Sequence, residues 1–595
     1  MKPAAVRSLL RQPIPPLADT LNACIRSVSP LLNGMQRLKS KLLLELYGAA
    51  QTKQQQRLLT LAREQGTNWC AEGLTRMWLS CRGGLPFSNN YVLLLHDDAR
   101  ADTLTGRAAR LTAAALSLHQ HIASHQISPD VAANLPLEME QYRRCYATHR
   151  LPRPGCDEMI TVAGTRHVAV LANGQVYCLA VDLQHGPLPV GAIEQALDHI
   201  VEDAGTALEN DQAAPGLCSA LPREDWTRLR GILCQNEKNR QAISILEKSL
   251  FVLCLDNGAA PGSLSGIAAT LRDGNQHNRY YDKSMQIIVM ENGKAGLCFE
   301  RAAVDGSVAL GFAARLYREN VGLRTDEATA AAAQPLIRTR KAAWQISSSL
   351  AQQVQQARQT LNETRNQRHI EAWVTPGIGA QRLKSLQLSP DAMVQLALQV
   401  AVTEATGRPL SIVEPVQTRH FAGGRMDFIV PVTAESMAVV TGLQDANRNS
   451  YRLAAQIRRA VKAHQNLVLR AKSGRGLIAH LLALNAVRAA NPAQPAWSIN
   501  SWRHDILAHL DKGLKTLTRQ DVLASNGSGF TGIAAFCPIG PRPHMLSIGY
   551  IIEDGQITFD LRADGRLSPH GRALRGAIEK ALRQLEKTIA QAALH

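Results

Sequence analysis

The chain has 595 residues, too many for one ordinary hydrophobic core, so two large domains or two equivalent halves are expected. Apolar residues make up 45% of it and both charge signs run throughout, which excludes a disordered or fibrous class. With 66 basic against 49 acidic residues the formal charge is +17, a field that favours anionic partners: a phosphate-bearing cofactor, nucleic acid or an acidic surface. No dense basic block stands out and aromatics are only 4%, so the stacking platforms of a single-strand binder are missing and nucleic acid is not expected.

In chain order, Lys2, Arg7 and Arg11 come first, but prolines at 13, 15 and 16 preclude a long amphipathic targeting helix. Residues 17–65 read as helices from apolar positions three and four apart, as in "RLKSKLLLELYGAA". After a Gly/Pro/Asn-rich stretch at 82–90, "YVLLLHDD" from Tyr91 has strand length and stops at charges. It is the longest early apolar run and falls far short of the ~20 residues a membrane helix needs. A cytoplasmic protein with no membrane span is the expectation. Residues 100–149 look helical; residues 161–181 read as two strands joined at Asn173-Gly174, the strongest hairpin signal in the chain.

Residues 241–256 pass from a helical pattern into a buried strand, and 271–300 hold two strands around Asn292-Gly293. The polar stretch 338–370, rich in Gln, Arg and Ala, reads as a surface helix bridging the halves. The second half predicts helices at 389–403, 450–466 and 570–593, with strands near 409–414, 530–537, 545–552 and 556–561. The fold class is therefore α/β in the mixed α+β sense in both halves, with no sequence repeat between them.

The eleven cysteines are scattered without a Cys-x-x-Cys pair, and Cys178, Cys254 and Cys298 lie in apolar runs as small hydrophobes of a reducing compartment. His121 and His125 have helical i,i+4 spacing with His119 near them, but no cysteine or carboxylate completes a metal set, so no metal is expected.

Several blocks, in order, resemble the choline/carnitine acyltransferase family: "RQPIPPLADTLNACIRSVSPLL", "LFVLCLD", "NRYYDKSMQIIVMENGKAGLCFE", "LSPDAMVQLALQVA" and "VQTRHFAGGRMDFIVPVT". "AHLLAL" and "FCPIGPRPHMLSIGY" are weaker matches. The resemblance implies two domains of CoA-dependent acyltransferase-like fold with a tunnel at their interface and a histidine general base between CoA and a small hydroxyl acceptor. Residues 106–370 would form the first half; 1–105 plus 371–595 would be distributed between an N-terminal helical region and the second half.

The resemblance places that histidine after Glu300, where this chain has Arg301, with Asp305 beyond it. A guanidinium has no acceptor lone pair and stays protonated, so Arg301 marks a lost base. It could bind a phosphate or carboxylate, or pair with Glu300 or Asp305. The acceptor-pocket positions carried over from the family are Val413, Met426, Ala479, Leu523 and Ala524, where polar residues would be usual; Ser525 keeps the third place of a Ser-Thr-Ser motif. On the CoA side, Lys384 matches a family lysine, Arg382 stands near the place of another, and Ser389 and Asp391 match the start of a helix. Replacement-base candidates are His277, His420 and His480.

The expected ligand is coenzyme A, acyl-CoA or another acyl-pantetheine carrier, not a permanently bound cofactor. One reading is a diverged acyltransferase with an acceptor other than carnitine or choline. The other is a non-catalytic binding or scaffold protein with a protein partner.

Overall fold

Short apolar runs alternating with longer amphipathic stretches produce two large sheets packed by helices in the computed structural model of the chain. It describes residues 9–593 apart from 67, 102, 184–187, 206–213, 259, 275, 324–336, 448, 489–519, 541 and 543–544. Lys2 and Arg7 lie outside the described residues.

The strands of the two sheets are, in chain order, β1 (Tyr91–Leu95), β2 (His167–Ala172), β3 (Gln175–Val181), β4 (Val252–Asp256), β5 (Met285–Met290), β6 (Ala295–Phe299), β7 (Ile337–Lys341), β8 (Arg368–Pro376), β9 (Ile412–Gln417), β10 (Met426–Ile429), β11 (Val522–Asn526), β12 (Ile533–Cys537), β13 (Leu546–Ile552) and β14 (Gln556–Asp564). The first sheet has eight strands in the order β7-β3-β2-β4-β5-β6-β1-β12, and the second has six in the order β8-β14-β13-β11-β9-β10. Pairing is mixed: β2, β4 and β5 run parallel to one another, as do β9, β11 and β13, while the remaining pairs are antiparallel.

The central strands β4, β5 and β6 are buried along their whole length, as near-continuous apolar runs must be when both faces of a sheet are covered. Helices Leu104–Ala123 and Gly306–Gly322 pack one face of the first sheet. Helices Pro390–Thr406 and Ser568–Ala593 pack the second sheet. The former has its ends written in sequence: Ser389 caps it by accepting from Ala392 N at 3.4 Å, Pro390 opens its first turn, and Gly407 closes it at φ +70°.

Two expectations are corrected. The stretch 338–370 is not one helix: β7 forms the sheet edge, then helix Ser348–Asn366, then β8. Arg338, Arg340 and Lys341 of β7 are exposed, so an edge strand protected by charge has the composition of a polar helix face. Residues 100–149 are helical only over Leu104–Ala123 and Glu140–Arg144, and Thr148 starts a small hairpin strand, Thr148–Leu151. The first sheet also takes in β1 and β12, from outside 106–370.

Among the described residues no helix is long and apolar enough to cross a membrane.

Candidate functional site

Strand β6 ends at Phe299, and the chain turns through Glu300 and Arg301 before Asp305 starts helix Gly306–Gly322. This turn faces the second sheet. Glu300 is fully buried; it accepts from Asn89 Nδ2 at 2.5 Å, Arg150 Nη1 at 3.0 Å and Ala303 N at 2.9 Å. Asp305 is held bidentately by Arg425, at 2.9 Å from Nε and 2.8 Å from Nη2, and accepts from Gln141 Nε2 at 2.7 Å. Burial pushes the Asp305 carboxyl up, but the Arg425 guanidinium, with Gln141 and the charge of Arg301, more than offsets it and holds the group below its ordinary value.

Both acidic neighbours of Arg301 are therefore engaged elsewhere, and neither of the pairings open to it in the sequence is made. Arg301 itself is only 4% exposed. Its guanidinium carbon lies 4.5 Å from the centroid of the Trp78 ring, and Nη2 reaches only the Met426 sulfur, at 3.7 Å. Its Nε is buried without a partner. Burial lowers its pKa and Asp305 raises it, with no acceptor lone pair created in either case.

Around the guanidinium the structure assembles an apolar cluster that includes Trp78, Ala302, Val413, Met426, Ala479 and Leu523. Four of the five acceptor-pocket positions thus converge from three strands and a helix. Val413 and Leu523 are register partners in the parallel β9–β11 pair, so their side chains share one face. The fifth, Ala524, points the other way by strand alternation and lies in the core of the second sheet. Ser525 returns toward the site face at 6% exposure, and its hydroxyl has no hydrogen-bond partner among the described residues.

The three candidate histidines go to separate partners. His480 is buried, with Nδ1 2.7 Å from Thr20 Oγ1 and Nε2 2.9 Å from Gln55 Oε1, and burial pushes its pKa down to about 4. His277 bonds Arg358 at 2.7 Å; burial and the guanidinium push it down to about 4. His420 bonds the Lys472 carbonyl and stacks on Phe421. His480 also packs edge-on against Trp69, which borders the apolar cluster near Arg301. Likewise His121 pairs with Glu319, His125 with Arg143, and His119 packs on Tyr146. Burial pushes the Cys298 thiol up to about 12.

On the CoA side Arg382 is held by Glu586, with Nε 2.7 Å from the carboxylate, while Lys384 is exposed. Asp391 accepts from Tyr550 OH at 2.7 Å and Asn526 Nδ2 at 2.8 Å. Asp391, Glu414 and His464 bring donor atoms within 4.8 Å of one another. His464 Nε2 already bonds Glu414 at 2.8 Å, and burial, with Asp391 nearby, pushes Glu414 up to about 7. Glu414 and His464 bond each other, and Asp391 is held instead by Tyr550 and Asn526.

A family profile described as choline/carnitine O-acyltransferase matches residues 12–579, nearly the whole chain. This chain belongs to the choline/carnitine O-acyltransferase family. Choline O-acetyltransferase of Danio rerio is 27% identical to it over 81% of this chain and 78% of its own. Human carnitine O-acetyltransferase is 26% identical over 80% of this chain and 78% of its own. Among solved structures, the wax ester synthase/diacylglycerol acyltransferase from Marinobacter aquaeolei VT8 superposes with a TM-score of 0.38 at 11% identity, covering 87% of this chain and 98% of that one.

Within the family frame, the residues that sequence reading missed are those that hold the loop: Trp78, Asn89, Arg150 and Gln141. They contact Glu300, Arg301 or Asp305 from more than 140 residues away, and nothing in their local spacing signals it. Arg425 was visible beside Met426, as a polar network rather than as the partner of Asp305.

Proposed function

We propose that this protein handles acyl thioesters of CoA or another pantetheine carrier and transfers the acyl group to an acceptor other than carnitine or choline, through a tunnel between the two sheets that meets at Arg301. The observation that carries this reading is that Val413, Met426, Ala479 and Leu523 pack into one apolar cluster with Trp78, the ring over which the Arg301 guanidinium lies. A zwitterionic acceptor would have to leave water and place its charges and hydroxyl among apolar side chains, at several kcal/mol. A family acceptor proton would find no base at residue 301.

Transfer would form a C–O or C–N bond at the thioester carbonyl and break the C–S bond, the proton of the acceptor passing to the departing thiolate. A neutral amine acceptor needs the least help, because its nitrogen lone pair is available before deprotonation. Ser525, with its free hydroxyl, is the group proposed to donate to the carbonyl oxygen as charge develops there. Lys384, with Arg382 once it leaves Glu586, supplies the positive charge for the nucleotide phosphates, and Ser389 and Asp391 shape the helix start beside them. A cavity of about 510 Å³ between helices Leu17–Val28 and Ser450–Arg470 shares Phe428, Val430 and Leu477 with the cluster and offers room for an apolar body.

The second reading, a non-catalytic acyl-thioester-binding protein with a protein partner, is favoured by the engagement of His277, His420 and His480 with partners outside the Arg301 loop. Thiol release from acyl-CoAs of graded chain length, with carnitine, choline and pools of amines and alcohols, tests both. Acceptor-dependent release that is lost in Ser525→Ala supports transfer. Calorimetric binding without release supports the second reading.

A further inference from the structure

Arg301 is a charged donor in a largely apolar surrounding; Asp305 acts on its charge from a distance, but among the described residues no carboxylate hydrogen-bonds it. Glu300 is bonded by Arg150 and Asn89, and Asp305 by Arg425 and Gln141. Among the described residues the Nε of Arg301 has no acceptor, and the indole Nε1 of Trp78, over which the guanidinium lies, has none either. Two buried donors in one cluster with no acceptor for them are costly unless a ligand brings one. Arg301 would have to displace Arg150 and Asn89 from Glu300, or Arg425 and Gln141 from Asp305, to gain a carboxylate within its own loop.

We infer that Arg301 anchors a carboxylate, carried on a short apolar body, in the acceptor-side cluster. This rests on the acyl-thioester reading above and narrows its substrate class. A carboxylate offers acceptors only, in a plane that matches the guanidinium fork. A phosphate monoester carries about two charges and calls for several donors; here Arg425 is already committed to Asp305, which leaves the Arg301 guanidinium beside Met426 and Trp78 as the donor on offer among the described residues. The apolar walls fit the methylenes behind the carboxylate. The carboxylate can sit at the far end of the acyl group, as in a dicarboxylic monothioester, or on the acceptor, as in a hydroxy acid without a second charge.

Calorimetry on the full chain separates the sources. One arm compares glutaryl-CoA with pentanoyl-CoA; the other compares 4-hydroxybutyrate with 4-hydroxybutyramide in the presence of CoA. Each arm is run on the wild type, Arg301→Met and Arg301→Lys, with folding checked by circular dichroism. The expected result is a preference of about tenfold or more for the charged probe in one arm. That preference collapses in Arg301→Met and is partly kept in Arg301→Lys. Equal binding of charged and neutral probes by the wild type, with pentanoyl-CoA still bound, overturns the inference and leaves the thioester reading standing. A charge preference that survives in Arg301→Met also overturns it, because the anion is then held elsewhere. Failure of both CoA esters to bind removes the thioester reading, and the free hydroxy acid against its amide still decides the role of Arg301.

Discussion

Arg301 and Asp305 stand four residues apart in one loop, and their environments set them to opposite tasks. Arg301 is a cation with no carboxylate bonded to it among the described residues; Asp305 is an anion clamped by Arg425. Replacing Arg301 by histidine returns a lone pair to the position the family uses for its base, and acyl-CoA thiol release should rise at least about tenfold with alcohol or water as acceptor. Carnitine should remain unacylated in that variant, because Val413, Met426 and Ala479 are unchanged; carnitine transfer by Arg301→His would show that the pocket accepts a zwitterion after all. Removing the clamp has a different signature. Arg425→Met leaves the buried Asp305 carboxylate uncompensated and should cost about 3–5 kcal/mol in urea unfolding. The folded-state pKa of Asp305 is depressed, so its contribution is complete above the ordinary value of 3.8 and fades as pH falls through the lower folded value. The acid limb of stability should therefore flatten in Arg425→Met. An unchanged limb would mean that the pair is not the source.

At the scale of elements, the cluster depends on how helix Ile478–Arg488 meets β10. Asp427 of β10 accepts from Phe428 N at 2.7 Å and from Ala479 N at 2.9 Å, tying the helix start to the strand that carries Met426. Gly476, just before the helix, leaves no room for a side chain: a Cβ there would lie 1.7 Å from the Asp427 carboxylate. Gly476→Ala should displace that carboxylate and destabilise by about 1–3 kcal/mol, measured by denaturant titration. A loss under about 0.5 kcal/mol, within the range of ordinary surface changes, would show that the junction is pliant. Such junctions were the least legible part of the sequence. The Asn173-Gly174 hairpin and the capped helix at Ser389 were readable because their signals are local. Strand β7 was not, since alternating Arg and Thr at a sheet edge reads like a polar helix. Trp78 and Arg150 were invisible for a related reason: the contacts that define them join distant segments. The positions Val413, Met426, Ala479 and Leu523 could be named only through family resemblance, and their common face became apparent from the β9–β11 register.

For the whole molecule, β12 is the decisive piece of topology. It lies between β11 and β13 in the chain, both strands of the second sheet, yet it pairs with β1 in the first, with Val92 opposite Cys537. Buried ion pairs add to the tie: Arg272, near the first sheet, meets Asp560 of β14 at 2.5 Å, and Arg425 reaches across to Asp305. The two sheets should thus unfold together. Far-ultraviolet circular dichroism and tryptophan fluorescence should trace one coincident transition in guanidinium chloride, and two separated transitions would show that the halves are independent. The same topology puts the loop at Arg301 between the sheets, where a ligand would contact both.

The most direct test of the account is calorimetric titration with an acyl-CoA series, with thiol release followed in the same samples in the presence of carnitine, choline, and hydroxy and amino acids. The account predicts acyl-CoA binding, no turnover with carnitine or choline, and any turnover confined to the other acceptors. Rapid, saturable acylation of carnitine by the wild-type chain would contradict it.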